Sequence, residues 1–206
     1  GLSVILIERG EYPGAKSVMG GILYSKVLND IIPGFYKEAP LERPITEQCV
    51  FMLTDDSAVK MGFKNKEFYK EPYNSFSVLR SDFDSWFAKK AEDAGAMVIS
   101  RIVVDDVIKE GSRIVGIKTE QGENLYGDCV LACDGVNSLL AQKAGLHKEW
   151  LTSDVALAVK EVISLPREKI QDRFNLEENE GCAIEFMGTI SKGMMGLGFL
   201  YTNKES

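Results

Sequence analysis

The chain opens on Leu2-Ser-Val-Ile-Leu-Ile-Glu-Arg9, a continuous apolar run of strand length, rich in β-branched residues, that ends abruptly in a carboxylate. Apolar runs without alternation suit a parallel strand buried on both faces. At the carboxyl end of such a strand a doubly wound sheet holds its nucleotide, and an acid there accepts hydrogen bonds from the ribose hydroxyls. In a dinucleotide fold this acid lies about 20 residues after a glycine-rich phosphate loop on the second strand. Only seven residues precede Glu8 and the first residue is Gly rather than Met, so the chain reads as starting partway through such a domain. The plainer alternative is a strand end with a solvated Glu8-Arg9 pair.

A loop with four glycines follows, Gly10 to Gly21, with a Pro13-Gly14 turn. Glycines let backbone approach a ligand closely, and successive N–H groups form anion nests. Lys16 and Ser17 add donors, unless the loop is simply a surface turn. Residues 22–32 then carry apolar groups at helical spacing and stop before Pro33-Gly34. From Pro40 the pattern changes to short alternating strands over 48–54, 58–64 and 75–79, the signature of antiparallel pairing.

The best-defined helix opens after Arg80. Ser81 or Asp82 caps it, Phe83, Trp86, Phe87 and Ala91 form its stripe, and Gly95 ends it. Arg80, just outside the N-terminus, opposes the helix dipole, which asks for an anionic partner or leaves a solvated cation. A strand at 96–100 and a meander over 101–109, 113–120 and 124–126 come next. Residues 129–133 read as a further buried strand leading into Asp134-Gly135 and a helix near Ser138, a geometry that holds phosphates or sugar hydroxyls. Residues 154–163, 182–189 and 194–201 complete the antiparallel set. The run Met194-Met-Gly-Leu-Gly-Phe-Leu200 is either sheet core or a ligand- or membrane-facing patch.

Bulk properties narrow the function. With 206 residues, 45% of them hydrophobic, the chain can bury a real core. A net charge of −7 disfavours a nucleic-acid partner. No apolar run spans a bilayer and no signal peptide is visible. The one histidine, His147, removes His-rich metal sites and makes a Ser-His-Asp hydrolase a poor reading, so if the chain is an enzyme a cofactor carries the chemistry. The four cysteines lack metal-ligand spacing. Cys129 and Cys133 read as small buried groups and Cys49 and Cys182 as isolated ones, so no metal site is expected and the default compartment is the reducing cytoplasm.

Four motifs now stand in order: Ile7-Glu-Arg-Gly10; Tyr12-Pro-Gly-Ala-Lys-Ser-x-x-Gly-Gly21; Leu79-Arg-x-x-Phe-Asp-x-Trp-Phe87; and Ala132-Cys-Asp-Gly-Val-Asn-Ser138. Together with the Ile-Pro-Gly-Phe and Ala-Pro-Leu-Glu-Arg stretches, this set resembles the electron-transfer-flavoprotein:quinone oxidoreductase and geranylgeranyl reductase flavoproteins, particularly their FixC-type members. The resemblance covers essentially the whole chain. It implies an α/β fold: an incomplete glutathione-reductase-like FAD-binding domain (1–39 and 80–150) with an inserted antiparallel-sheet substrate domain (40–79 and 151–206). It also implies FAD as cofactor. Glu8 would bind the adenosine ribose, with Arg9 beside the adenine. Lys16, Ser17, Gly20 and Gly21 would line the path to the flavin. Arg80 would reach the pyrophosphate or ribityl chain and Val104 the adenine, while Asp134 and Gly135 would form a second FAD contact with Ser138 close by. No catalytic side chain is assigned. The implied reaction passes electrons from an electron-transfer flavoprotein through FAD to a quinone, beside a ferredoxin-like partner, in the cytoplasm and at the inner face of a membrane. The alternatives are a prenyl-lipid reductase of the same fold and a flavin-free binding scaffold.

Overall fold

In the computed structural model, which describes residues 1–17 and 20–206, the opening run forms β1 (Ile5–Glu8). It is followed by β2 (Gly21–Tyr24), α1 (Ser25–Ile31), the long β3 (Leu41–Leu53), β4 (Ala58–Lys64), β5 (Ser75–Val78) and α2 (Arg80–Asp93). Then come β6 (Met97–Ser100), β7 (Val104–Glu110), β8 (Arg113–Thr119), β9 (Asn124–Tyr126) and α3 (Leu139–Ala144). The chain closes with α4 (Arg167–Phe174), β10 (Gly181–Gly188) and β11 (Gly198–Tyr201). Two compact units result: Gly1–Lys16 with Ala88–Val159, and Ser17–Phe87 with Lys160–Ser206.

In the first unit β1 pairs in parallel with β6, Glu8 opposite Ser100, and β7, β8 and β9 form an antiparallel meander. The parallel pairing matches the expectation for the opening run, but burial does not. Ile5 and Leu6 are 47% and 38% exposed, because among the described residues β6 is the one strand that flanks β1. The expected strand at 129–133 is absent: these residues find no ladder partner, and Cys129 and Cys133 are exposed. The expected strand at 154–163 is absent for the same reason.

The second unit is built on one mixed sheet, ordered β11-β10-β3-β5-β2, with β4 also paired to β3. Here β10 runs parallel to β3, so the sheet is not the purely antiparallel one that alternation suggested. The expected helix at 22–32 begins as a strand. Ile22 and Leu23 pair with Ser77 and Phe76 of β5, and helix starts only at Ser25. Long-range pairing outweighs local helical spacing here. Segments 17–39 and 80–87 belong to this unit, whereas the sequence-drawn bounds placed both with the nucleotide domain. The reason is their packing: Leu28, Phe35 and Phe83 share one core with Leu41, Phe76 and Val78.

Phe35 is the centre of that core, fully buried and edge-on to both Tyr36 and Phe76. A second core lies beneath α4, where Ile170 and Leu176 cover Cys49, Cys182 and Ile184. Met194 and Met195, expected in a strand from 194 onward, precede β11 in a glycine-punctuated turn and are exposed, so they are not sheet core.

Candidate functional site

The register of the mixed sheet sorts its side chains cleanly. Glu47, Cys49 and Phe51 of β3 pair with Cys182, Ile184 and Phe186 of β10, and this set points toward the α4 core. Gln48 and Val50 pair with Ala183 and Glu185 on one side and with Phe63 and Met61 on the other, placing them on the opposite face. That face is open. Met61 and Phe63 are 59% and 58% exposed, and Met52, Val59, Tyr24 and Phe199 are exposed as well. A cavity of about 560 Å³ lies on it, lined among others by Ile22, Val50, Met61, Phe63 and Phe199, with Gln48 and Glu185 as polar groups. Exposed apolar side chains gathered on one face of a sheet make that face a candidate binding surface. A groove of about 610 Å³ along α4 is lined by charged and polar residues such as Arg167, Glu168 and Asp172, and brings no convergent chemistry together.

Beside the open face, Gly20 lies against Tyr201. A Cβ at Gly20 would come 2.3 Å from the Tyr201 hydroxyl and 2.5 Å from the Val78 carbonyl oxygen, so only glycine fits. Burial pushes the Tyr201 phenol above its ordinary pKa, and the Gly20 backbone pulls the other way. Gly21 serves as the first residue of β2, paired with Val78, rather than as part of a loop. Arg80 is the first residue of α2, not outside it. Its anionic partner is Asp84, one turn on, held at 2.5 Å (Nε to Oδ1) and 2.7 Å (Nη2 to Oδ2). Ser17 donates to the same carboxylate at 3.0 Å. Asp84 thus gathers two of the expected site residues, and its side chain is only 19% exposed against 49% for Arg80. The cation at the helix N-terminus is explained by this pair, whose bond to Asp84 also raises the guanidinium pKa.

In the first unit, Glu8 closes β1 half-buried, and its Oε1 accepts the Gly10 N–H. A Cβ at Gly10 would meet Glu8 Oε1 at 2.8 Å, so any larger residue would displace that carboxylate. Arg9 and Lys16 are exposed on either side of this turn, and Val104 opens β7. Asp134 caps α3 by accepting the Leu140 N–H at 2.9 Å. Gly135 has a positive φ of 79°, and the Ser138 hydroxyl donates to its carbonyl at 3.1 Å. One is a strand end closed by a tight turn and the other a turn leading into a short helix; both turns place glycine backbone beside a carboxylate. Among the described residues, Glu8, Arg9, Lys16, Val104, Asp134, Gly135 and Ser138 fall in the first unit. Ser17, Gly20, Gly21 and Arg80 fall in the second.

Sequence reasoning missed Asp84, Tyr201, Glu185 and the meeting of Cys49 with Cys182. Only Asp84 carried a readable signal, its i+4 spacing from Arg80. The others are brought to their neighbours by pairing between distant segments.

The tryptophan halogenase family model matches residues 36–166. Protein FixC of Bradyrhizobium diazoefficiens is 44% identical over 207 residues, covering 100% of this chain and 48% of that protein. Protein FixC of Azotobacter vinelandii is 47% identical over 207 residues, with the same coverage. The chain therefore spans about half the length of the curated relatives it matches. Among solved structures, a geranylgeranyl bacteriochlorophyll reductase-like protein from Thermoplasma acidophilum superposes with a TM-score of 0.68 at 20% identity, covering 100% of this chain and 48% of that one. CtdE in complex with FAD superposes with a TM-score of 0.56 at 17% identity, covering 100% and 50%. Both share the mixed α/β fold.

Proposed function

Because the chain belongs to the tryptophan halogenase family and is FixC-like from end to end, we propose that the protein is an FAD-dependent oxidoreductase passing electrons from an electron-transfer flavoprotein to a quinone. The fold on this reading is glutathione-reductase-like, with the mixed sheet as the substrate-bearing part. When bound, FAD supplies the two-electron couple. The residues of this chain bind and orient. Glu8, at a strand end, accepts from the adenosine ribose. The Asp134-Gly135 turn offers backbone to the cofactor's polar chain, and Arg80 keeps three of its five N–H donors after serving Asp84. A ferredoxin-like protein as further partner, and a site of action at the cytoplasmic face of a membrane, complete the proposal.

The observation that carries the acceptor is the open face of the mixed sheet. A quinone ring is flat and apolar with two polar oxygens, and the cavity offers Val50, Met61, Phe63 and Phe199 to the ring. Gln48 can donate to a quinone oxygen, and Glu185 can accept from the hydroxyl formed on reduction. Testing this requires the flavin-loaded protein, its reduced electron-transfer flavoprotein and a soluble quinone analogue. Quinone-dependent reoxidation is the expected result. Saturation of a geranylgeranyl lipid without quinone turnover would assign a prenyl reductase instead, and purified protein that holds no flavin would leave a binding scaffold.

A further inference from the structure

The parallel pairing of β3 with β10 brings together three donors that lie far apart in sequence. Cys182 stands opposite Glu47, with Cys49 two residues along the same face of β3. One oxygen of Glu47 and the two sulfurs all lie within 4.8 Å of one another, and Cys49 Sγ is 3.2 Å from Glu47 Oε1. Tetrahedral zinc, with bonds of about 2.3 Å to sulfur and about 2.0 Å to oxygen, holds its ligands roughly 3.5–3.8 Å apart. Both cysteines are buried, while Glu47 is half-buried and gives the cluster an edge toward solvent.

The opposing strand leaves room. Gly62 of β4 faces Cys49, and a Cβ there would stand 3.2 Å from Cys49 Sγ and 3.9 Å from Glu47 Oε1. Core packing accounts for two small buried side chains, but not for a carboxylate turned onto a thiol beside a glycine. We propose that Glu47, Cys49 and Cys182 form a binding site for one thiophilic divalent cation, of which zinc is the representative. Binding displaces one proton from each thiol to water, so two thiolates and the carboxylate face the dication, and a water fills the fourth position. Lys60 of β4 acts electrostatically on both thiols and offsets the remaining negative charge. Such an ion would pin β3 to β10 directly beneath the open face.

The test is zinc stoichiometry on the flavin-loaded protein, measured by competition with a chromophoric chelator after metal stripping. One equivalent of zinc should be withheld from the chelator. Cys49→Ser and Cys182→Ser should abolish that retention, while Glu47→Gln and Gly62→Ala should weaken it at least tenfold with flavin content unchanged. The last two variants keep the test decisive should the serine variants not fold. Equal retention by wild-type protein and all four variants would overturn the proposal. So would no retention, or retention that disappears only on replacing the exposed Cys129 and Cys133.

Discussion

Arg43 is a guanidinium held inside the mixed sheet with no salt-bridged carboxylate among the described residues, Glu42 acting on it only through its field. It is 2% exposed, and it donates to three backbone carbonyls: Asn203 at 2.6 Å, Glu180 at 2.9 Å and Lys204 at 3.4 Å. Burial, and then Arg167, press its pKa below the ordinary value, so the charge is maintained against its surroundings. Buried charge without an ionic partner is costly unless it is hydrogen-bonded, and here each of the three guanidinium nitrogens has a carbonyl acceptor. Arg43→Leu should therefore cost about 2–4 kcal/mol in urea unfolding, because it strands carbonyls in the interior. A change within about 0.5 kcal/mol would show the clamp to be dispensable. At Glu8 the expected loss is in cofactor binding. If Glu8 accepts from the ribose as proposed, charge-assisted bonds of roughly 1.5–3 kcal/mol should make Glu8→Gln lower FAD affinity by about 10- to 150-fold, read by equilibrium dialysis. Arg80→Ala should also weaken FAD. Its i,i+4 pair with Asp84 is open to solvent on the Arg80 side, and surface i,i+4 pairs are worth about 0.3–0.5 kcal/mol, so the thermal midpoint without flavin should fall only slightly. A large fall in that midpoint with FAD affinity intact would make Arg80 a structural residue.

At the scale of elements, the two faces of the sheet make opposite demands. Phe51 and Phe186 pack beneath α4 with ring centroids 5.3 Å apart and planes tilted by 36°, while Met61 and Phe63 on neighbouring β4 face solvent. Phe63→Ser should leave stability nearly unchanged, yet raise KM for a quinone analogue several-fold at constant flavin content. Unfolding at lower denaturant with KM unchanged would place Phe63 in the packing instead. Much of this architecture was legible in the amino-acid order. β4, β5, the β7–β9 meander and the parallel character of β1 all follow from periodicity and turn residues. Failures came where a partner decided the outcome. Residues 22–24 begin the segment with helical spacing but are captured by β5, and residues 129–133 and 154–163 have strand composition but no ladder to join. The candidate site divides the same way. Glu8, Gly20, Arg80 and Asp134 stand at element ends, which local signals mark. Tyr201, Glu185 and the Cys49–Cys182 meeting depend on β10 returning beside β3, which no local pattern encodes.

For the whole molecule, the most direct consequence of the cofactor assignment is thermodynamic linkage. A ligand that binds only the folded state stabilises it by RT ln(1 + [L]/Kd), about 2.7 kcal/mol at a hundredfold excess over Kd. Stripping FAD should lower the melting temperature, and adding FAD back should restore it in proportion to the logarithm of concentration. Identical melting with and without flavin would argue for a scaffold that never engages the cofactor. No helix among the described residues is long and apolar enough to cross a membrane. Met194 and Met195 are exposed apolar groups available to the proposed membrane contact.

The strand at the centre of the sheet also sets a timetable. β3 meets β4 through a short turn, but Thr46 and Gly181, which touch where β3 joins β10, are 135 positions apart. Closing so long a loop must precede any gain from the contact, which slows assembly. On the ribosome, β3 and β4 emerge well before β10 and α4, so the surface that ends beneath α4 waits uncovered while more than a hundred residues are made. During that interval the nascent sheet presents apolar side chains on both faces and an unpaired strand edge. Such a stretch of synthesis is where a holding chaperone would find its target.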